Sequence, residues 1–182
     1  MRVIAGSAKS LRLIVPAGGI RPTSDAVREA LFSMLGDAIY AGPFLDLYAG
    51  SGAVGIEGLS RGASRCVFVE RDRRCVEAIR RNLGNTGLGE GAEVVVGDAR
   101  RVVARVIAGS GPFGVIFADP PYADVRAVAL VGGLAAAESL VPGGILVVQH
   151  SWRAALPGPE PDRVRRFGET ALSFYSLPET GV

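Results

Sequence analysis

Leu45-Asp46-Leu47-Tyr48-Ala49-Gly50-Ser51-Gly52-Ala53-Val54-Gly55 reads as a short buried strand, a glycine-rich turn and the start of a helix. Gly50, Gly52 and Gly55 satisfy G-x-G-x-x-G, and Glu70 stands 20 residues beyond Gly50, at the end of the next apolar run. Small residues let a ligand approach the backbone, and an acid closing the second strand can accept hydrogen bonds from ribose hydroxyls. Alone, the pattern fits a dinucleotide-binding fingerprint, but any adenosine-bearing cofactor could use the same parts. The plain alternatives are a tight strand-to-helix turn without ligand and a solvated strand-end acid.

Outward from this stretch, β-rich runs alternate with helix-length segments. Strands are predicted over Pro43 to Tyr48, Arg65 to Glu70, Ala92 to Val96, Phe113 to Ala118 and Gly144 to Gln149. Between them fall helices through about Arg61, over Asp72 to Leu83 (Cys75, Val76, Ile79 and Leu83 forming an apolar stripe), over Ala99 to Ile107, and over Val125 to Leu140. Such alternation implies an α/β fold with a mostly parallel sheet and helices on both faces. After a Pro-rich loop, Arg163 to Phe167 and Ala171 to Leu177 leave no room for a helix between them, so an antiparallel hairpin at the sheet edge is expected. Residues 1–43 read as a separate unit: Val3 to Ala5 and Leu11 to Val15 as a small hairpin, then a helix over Asp25 to Ile39 capped by Thr23 or Ser24. The domain reading is thus 1–43 and 44–182.

Asp119-Pro120-Pro121-Tyr122 closes the fourth strand. Two prolines cannot continue a ladder, since they lack backbone donors and fix φ, and the first also drives Asp119 out of the helical region. The result is a stiff, extended tetrapeptide with a carboxylate, carbonyls and a terminal ring. Those parts suit a planar nucleobase, whose exocyclic amine the acceptors can hold while the ring stacks on the base. The alternative is a Pro-Pro turn with Tyr122 on the surface. Gly97-Asp98-Ala99 follows the third strand, where Asp98 can meet an adenine amine or cap a helix. Gly50, Glu70, Asp98 and Asp119 all fall at carboxyl ends of strands, where ligands of open α/β sheets bind.

Composition sets the frame. The chain has 182 residues, 48% hydrophobic and 21% charged, with a net charge of +2, as expected of an ordinary globular protein. Of its 20 Lys and Arg residues only Lys9 is a lysine. Cys66 and Cys75 read as reduced core thiols, which fits a cytoplasmic setting. No metal site is expected, since His150 is the only histidine and no CxxC occurs. Nothing resembles a signal peptide or membrane span.

With these residues in view, the chain resembles a class I S-adenosylmethionine-dependent amino-methyltransferase, whose hallmark is [DNS]-P-P-[YFW]. Within that class it is similar to the bacterial 16S rRNA guanine-N2 methyltransferase (RsmD-like) family. The matching segments are Met1 to Gly6, Arg21-Pro22-Thr23 with Arg28 to Phe32, Asp46 to Ala63, and Asp119 to Tyr122. The resemblance implies a Rossmann-like sheet of seven strands with the last antiparallel. It implies S-adenosylmethionine as cofactor, leaving as S-adenosylhomocysteine, with Gly50, Ser51 and Gly52 bordering the methionine moiety and Asp46, Tyr48 and Ala49 also binding the cofactor. Glu70 would hold the ribose and Asp98 the adenine, with Arg71, Ala99 and Asp119 also among the cofactor-binding residues. Asp119, Pro120, Pro121 and Tyr122 would be catalytic toward the exocyclic N2 of a guanine, by resemblance guanine 966 of the small-subunit RNA. Tyr48 stands where the family often has Phe, and Gln149 where relatives often carry an acid.

Arg2, Lys9, Arg12, Arg21, Thr23 and Arg28 are candidate contacts to ribosomal RNA or an assembling small subunit, while Arg163, Arg165 and Arg166 are expected to face solvent. His150 and Trp152 suit packing or loop roles. A monomer is expected. Competing readings are amino-methylation of DNA adenine or cytosine, a nicotinamide-dependent oxidoreductase, and a non-catalytic RNA-binding assembly factor. No acid/base pair suited to hydride transfer is present, and the intact tetrapeptide argues against a non-catalytic role.

Overall fold

The computed structural model describes residues 1–17, 23–121, 139–154, 156 and 158–177 of the chain. The Val125 to Leu140 helix lies almost wholly outside them, as do Tyr122 and Arg21. Helix α1 spans Asp25–Leu35 and is followed by a 3-10 turn, Gly36–Tyr40. Then come β1 (Phe44–Leu47), α2 (Ala53–Ser60), β2 (Cys66–Glu70), α3 (Arg73–Thr86), β3 (Ala92–Val96), α4 (Ala99–Ser110) and β4 (Phe113–Ala118). The chain continues as β5 (Leu140–Ser151), β6 (Arg163–Phe167) and β7 (Thr170–Ser176).

The strands form one seven-stranded sheet in the order β3-β2-β1-β4-β5-β7-β6. The first five pair in parallel; β7 runs antiparallel to both β5 and β6. The order reverses between β1 and β4, which is the switch point of the sheet. Alternation along the strands sorts side chains into two cores. Phe44, Cys66, Phe68, Val115, Phe117 and Val147 face α1, α2 and α3, whereas Leu45, Leu47, Val67, Val69, Ile116 and Leu146 face α4. A strand buried on both faces reads as a near-continuous apolar run, as β4 does and as β1 does except at the buried Asp46.

Several boundaries differ from the expected ones. The first helix stops at Leu35 because Gly36 takes φ +50°, and a 3-10 turn carries the chain to Tyr40. Strand β5 begins four residues early and takes Pro142-Gly143 into a register shift opposite Phe113 and Val115. In the terminal hairpin only β6 is an edge, since β7 inserts between β5 and β6. The N-terminal hairpin shrinks to a single bridge, Arg2 with Arg12, and the bonds beside it.

What holds that segment is long-range. Glu57, fully buried on α2, accepts from the amides of Ile4 (2.8 Å) and Ala5 (2.9 Å), from Arg28 (3.3 Å) and from Arg61 (2.8 Å). Ser60 Oγ donates to the Ala5 carbonyl at 2.6 Å and accepts from the Ala8 amide at 3.0 Å. Asn82 on α3 brackets the Ile14 amide and carbonyl at 2.7 and 2.9 Å. Gly6, at φ +84°, lies so close to α2 that a Cβ would meet the Ser60 carbonyl oxygen at 1.7 Å. Residues 1–43 therefore keep their own elements but share one core with the sheet, through Val3, Leu13, Val27 and Leu31.

Candidate active site

β1 ends in a sharp turn whose geometry depends on small residues. Tyr48 takes φ +62°, uncommon for a side-chain-bearing residue and characteristic of functional turns. Gly52 caps α2 in the left-handed region, and the Gly52 amide donates to the Ala49 carbonyl at 2.7 Å. At Gly55 a Cβ would sit 2.4 Å from the Phe68 ring and 2.7 Å from the Cys66 sulfur, so the third glycine lets α2 press onto β2. Asn82 holds the turn from behind through the Ser51 carbonyl, at 2.9 Å.

A cavity of about 580 Å³ opens over these strand ends, in the range of ligand pockets (about 300–1,000 Å³). From β1 it receives Tyr48 and Gly50; from β2, Glu70, Arg71 and Asp72; from the end of β3, Gly97 and Ala99. Asp119, Pro120 and Pro121 come from β4, and Gln149 from β5. Thr23, Ser24 and Val27 close it from the entry to α1, and Phe167 and Thr170 from the β6–β7 turn. Four of the strand ends singled out in the sequence thus meet on one rim.

Glu70 is a prepared acceptor. Its Oε1 takes the amides of Arg71 (2.7 Å) and Asp72 (2.8 Å), and its Oε2 takes the amide of Gly50 at 2.8 Å. With two lone pairs per oxygen, Oε2 keeps one for a hydroxyl. The carboxylate is fixed by three backbone donors and presents an oriented acceptor to the cavity. Gly97 and Ala99 line the cavity on either side of Asp98, which does not. Asp98 caps α4 by accepting from the Arg100 amide at 3.0 Å, and Arg100, with Arg71 farther off, pulls its carboxyl down to about 2. The capping reading therefore holds for Asp98.

Asp46, Ala49, Ser51 and Gly52 support the turn from outside the lining. Asp46 is buried and accepts the Gly55 amide at 2.9 Å. Burial pushes its carboxyl up to about 7, opposed by the Gly55 bond and assisted by repulsion from Asp119 and Glu70. A raised carboxyl holds a proton in the folded state that the unfolded chain has released. Its contribution to stability is thus lost as pH rises from the ordinary carboxylate range through about 7. Accordingly, denaturation midpoints of the wild type should fall between about pH 5 and about pH 8 by more than those of Asp46→Asn. Parallel curves would overturn this assignment.

At β4 the Asp119 carboxylate accepts a hydrogen bond from Gln149 Nε2 at 2.9 Å. Gln149 is buried, and its Oε1 accepts from the Thr23 hydroxyl at 3.4 Å. An amide held at both ends fixes the plane of the carboxylate. Sequence reading left Gln149 without a role, because it departed from the residue type expected there; its place beside Asp119 emerges only from the β4–β5 register. His150, its neighbour, points away: its ring lies 2.7 Å from the Ser151 carbonyl and 2.8 Å from the Ser173 hydroxyl, and burial lowers its pKa. That is a packing role.

The basic candidates separate. Arg2, Lys9 and Arg12 are exposed, and Arg2 and Arg12 border a shallow depression with Asp25. Arg28 is fully buried and bonds Glu57, Asp25 and the Arg2 carbonyl. Its guanidinium is a strut of the fold rather than a surface for phosphate, because a polyanion cannot reach it.

A parallel sheet reversing at β1/β4, antiparallel β7, and a glycine turn, acid and Asp-Pro-Pro on one rim define a class I S-adenosylmethionine-dependent methyltransferase. The chain belongs to the family described as Conserved hypothetical protein 95, whose model matches residues 1–176. It is similar to YlbH of Bacillus subtilis, at 37% identity over 180 residues, covering 96% of this chain and 98% of that protein. It also resembles Ribosomal RNA small subunit methyltransferase D of Escherichia coli K12, 38% identical over 123 residues, 67% of this chain and 60% of that protein. Among solved structures, the hypothetical protein TTHA0928 of Thermus thermophilus superposes with a TM-score of 0.82 at 38% identity, covering 96% of this chain and 98% of that one. An RNA methyltransferase from Salinibacter ruber in complex with S-adenosyl-L-homocysteine shares the fold at 22% identity, with a TM-score of 0.66 over 89% of this chain and 97% of that one. Among the described residues no helix is long and apolar enough to cross a membrane.

Proposed function

We propose that this chain transfers a methyl group from S-adenosylmethionine to the exocyclic N2 of a guanine in small-subunit ribosomal RNA. The observation that carries the reading is the Asp119 carboxylate, held by Gln149 at 2.9 Å on the rim that also bears Gly50 and Glu70. The name borne by the Escherichia coli relative supports RNA of the small subunit as the substrate, and the tetrapeptide Asp119 to Tyr122 supports a planar amine.

The cofactor, when bound, supplies an electrophilic methyl on a sulfonium. The chain's own residues bind and orient. Tyr48 and the turn Ala49-Gly50-Ser51-Gly52 border the methionine moiety, and Glu70, beside Arg71, accepts from the ribose. The segment of Asp98 and Ala99 flanks the adenine. Guanine N2 is a poor nucleophile because its lone pair is delocalised into the ring. Asp119 and the Pro120 carbonyl accept its hydrogens and turn the lone pair toward the methyl, so that the rate comes from orientation and preorganised charge. Tyr122 stacks on the base, a contact worth about 1–3 kcal/mol. The guanine must leave its own stack to reach the cavity. Arg2, Lys9, Arg12 and Arg21 meet phosphates and position the RNA without reading it. The chain acts as a monomer.

The test is labelled-methyl transfer to naked small-subunit RNA, small-subunit particles and duplex DNA in parallel, followed by nucleoside analysis. Label in N2-methylguanosine is expected, at the position equivalent to guanine 966. Label confined to DNA adenine or cytosine would replace the proposal with DNA methylation. Cofactor binding without transfer to any of the three would sink it.

A further inference from the structure

Trp152 stands just beyond the end of β5 and is 38% exposed. The guanidinium of Arg166 lies 3.7 Å from its ring centroid and that of Arg153 5.1 Å. On β6, Arg165 lies over Phe167 at 5.9 Å, and Phe167 with Thr170 lines the cavity. Arg163, Arg165 and Arg166 are exposed and form no ion pair among the described residues; Arg153 pairs with Glu169 at 2.6 Å. Asp162, which precedes β6, accepts from the Ser176 amide.

Charges along an edge strand ordinarily keep sheets from pairing with one another. That accounts for arginines on β6, but not for an exposed indole held against two guanidinium groups. Guanidinium planes and aromatic rings together are the means by which proteins grip unpaired nucleotides, since both stack on bases while the guanidinium fork meets phosphate. Side chains alternate along β6, so Arg163 and Arg165 share the side of Phe167, which lines the cavity, while Arg166 and Trp152 lie on the other side of the same open edge.

We propose that the open β6 edge, with Arg163 and Arg165 on its cavity side and Trp152, Arg153 and Arg166 on the other, is a second RNA-binding surface around which single-stranded nucleotides flanking the base presented to the cavity are gripped. The proposal rests on the reading that the cavity methylates RNA. The β6–β7 hairpin then serves as the far bank of the RNA path, across the cavity from the entry to α1. The occupant is single-stranded rather than duplex RNA, because stacking on Trp152 requires an unpaired base and the base to be methylated must itself be unstacked.

The experiment measures binding and single-turnover methylation of whichever small-subunit RNA form the wild type labels, over a series of salt concentrations. The variants are Arg165→Glu, Arg166→Glu and Trp152→Ala. The expected result for each arginine variant is affinity at least about tenfold weaker and a log–log salt slope reduced by about 0.7 per lost phosphate contact. S-adenosylmethionine affinity, read by calorimetry, should be unchanged. Trp152→Ala should weaken binding with little change in salt slope, which separates stacking from charge. If Trp152→Ala lowers the thermal midpoint, Arg165→Glu decides, since its exposed side chain carries no ion pair of the fold. Wild-type affinity and salt slope in both arginine variants would overturn the proposal. A wild type that labels no RNA would instead overturn the reading of the cavity, so the two failures are distinguishable.

Discussion

Asp119→Ala should bind S-adenosylmethionine with near wild-type affinity and transfer its methyl group at least about 10²-fold more slowly, the scale seen when one preorganised polar partner of a transition state is removed. The carboxylate borders the cavity at the end of β4, whereas Glu70 and Gly50, the proposed cofactor contacts, are fixed by a bond to each other at 2.8 Å. Truncation should therefore divide binding from chemistry. Gln149→Leu, which keeps the volume but removes the donor to Asp119, should give a smaller loss in the same direction, in kcat rather than in cofactor affinity. Calorimetry for the cofactor and single-turnover labelling for transfer read the two quantities separately. Full transfer by Asp119→Ala would remove the tetrapeptide from the chemistry.

Glu57→Ala should be strongly destabilising, by about 3–5 kcal/mol, because it removes the buried carboxylate facing Arg28 and leaves that guanidinium only the largely exposed Asp25 as an acidic partner. It also leaves the Ile4 and Ala5 amides without their acceptor. For a chain of this size the thermal midpoint should drop on the order of 10 °C. Glu57→Gln, which keeps hydrogen-bonding capacity but not charge, should fall between. A midpoint within a degree or two of wild type in the alanine variant would show that the Glu57 bonds contribute little to holding the N-terminal segment.

The sheet was legible because its physics is local. Runs such as Phe113 to Ala118, buried on both faces, leave an apolar record in the chain, and the absence of space for a helix after Phe167 dictated the antiparallel hairpin. Asp72 and Asp98 were likewise readable as the acids that begin α3 and α4. The rim was legible because carboxyl ends of parallel strands must meet. What the chain did not disclose depends on register or on distant partners. Gln149 acquires its role only because β5 lies beside β4 with Phe117 opposite Val147. Arg28 looked like an RNA contact because one cation on a helix gives no sign that a glutamate 29 residues away will bury it. The insertion of β7 between β5 and β6 follows from sheet order, which no local pattern encodes.

The bonds from the first 15 residues to Glu57, Ser60 and Asn82 carry a consequence for the birth of the protein. Their partners lie 52 to 68 residues downstream. The segment is translated well before its acceptors emerge, so loops of that length must close before it can settle. At ordinary synthesis rates of about 5–20 residues per second, the wait lasts several seconds. Asn82, which clasps both Ile14 and the carbonyl of Ser51, ties the N-terminal segment and the glycine turn to one side chain. Loss of the Asn82 side chain would therefore loosen the N-terminal segment and the glycine turn at once.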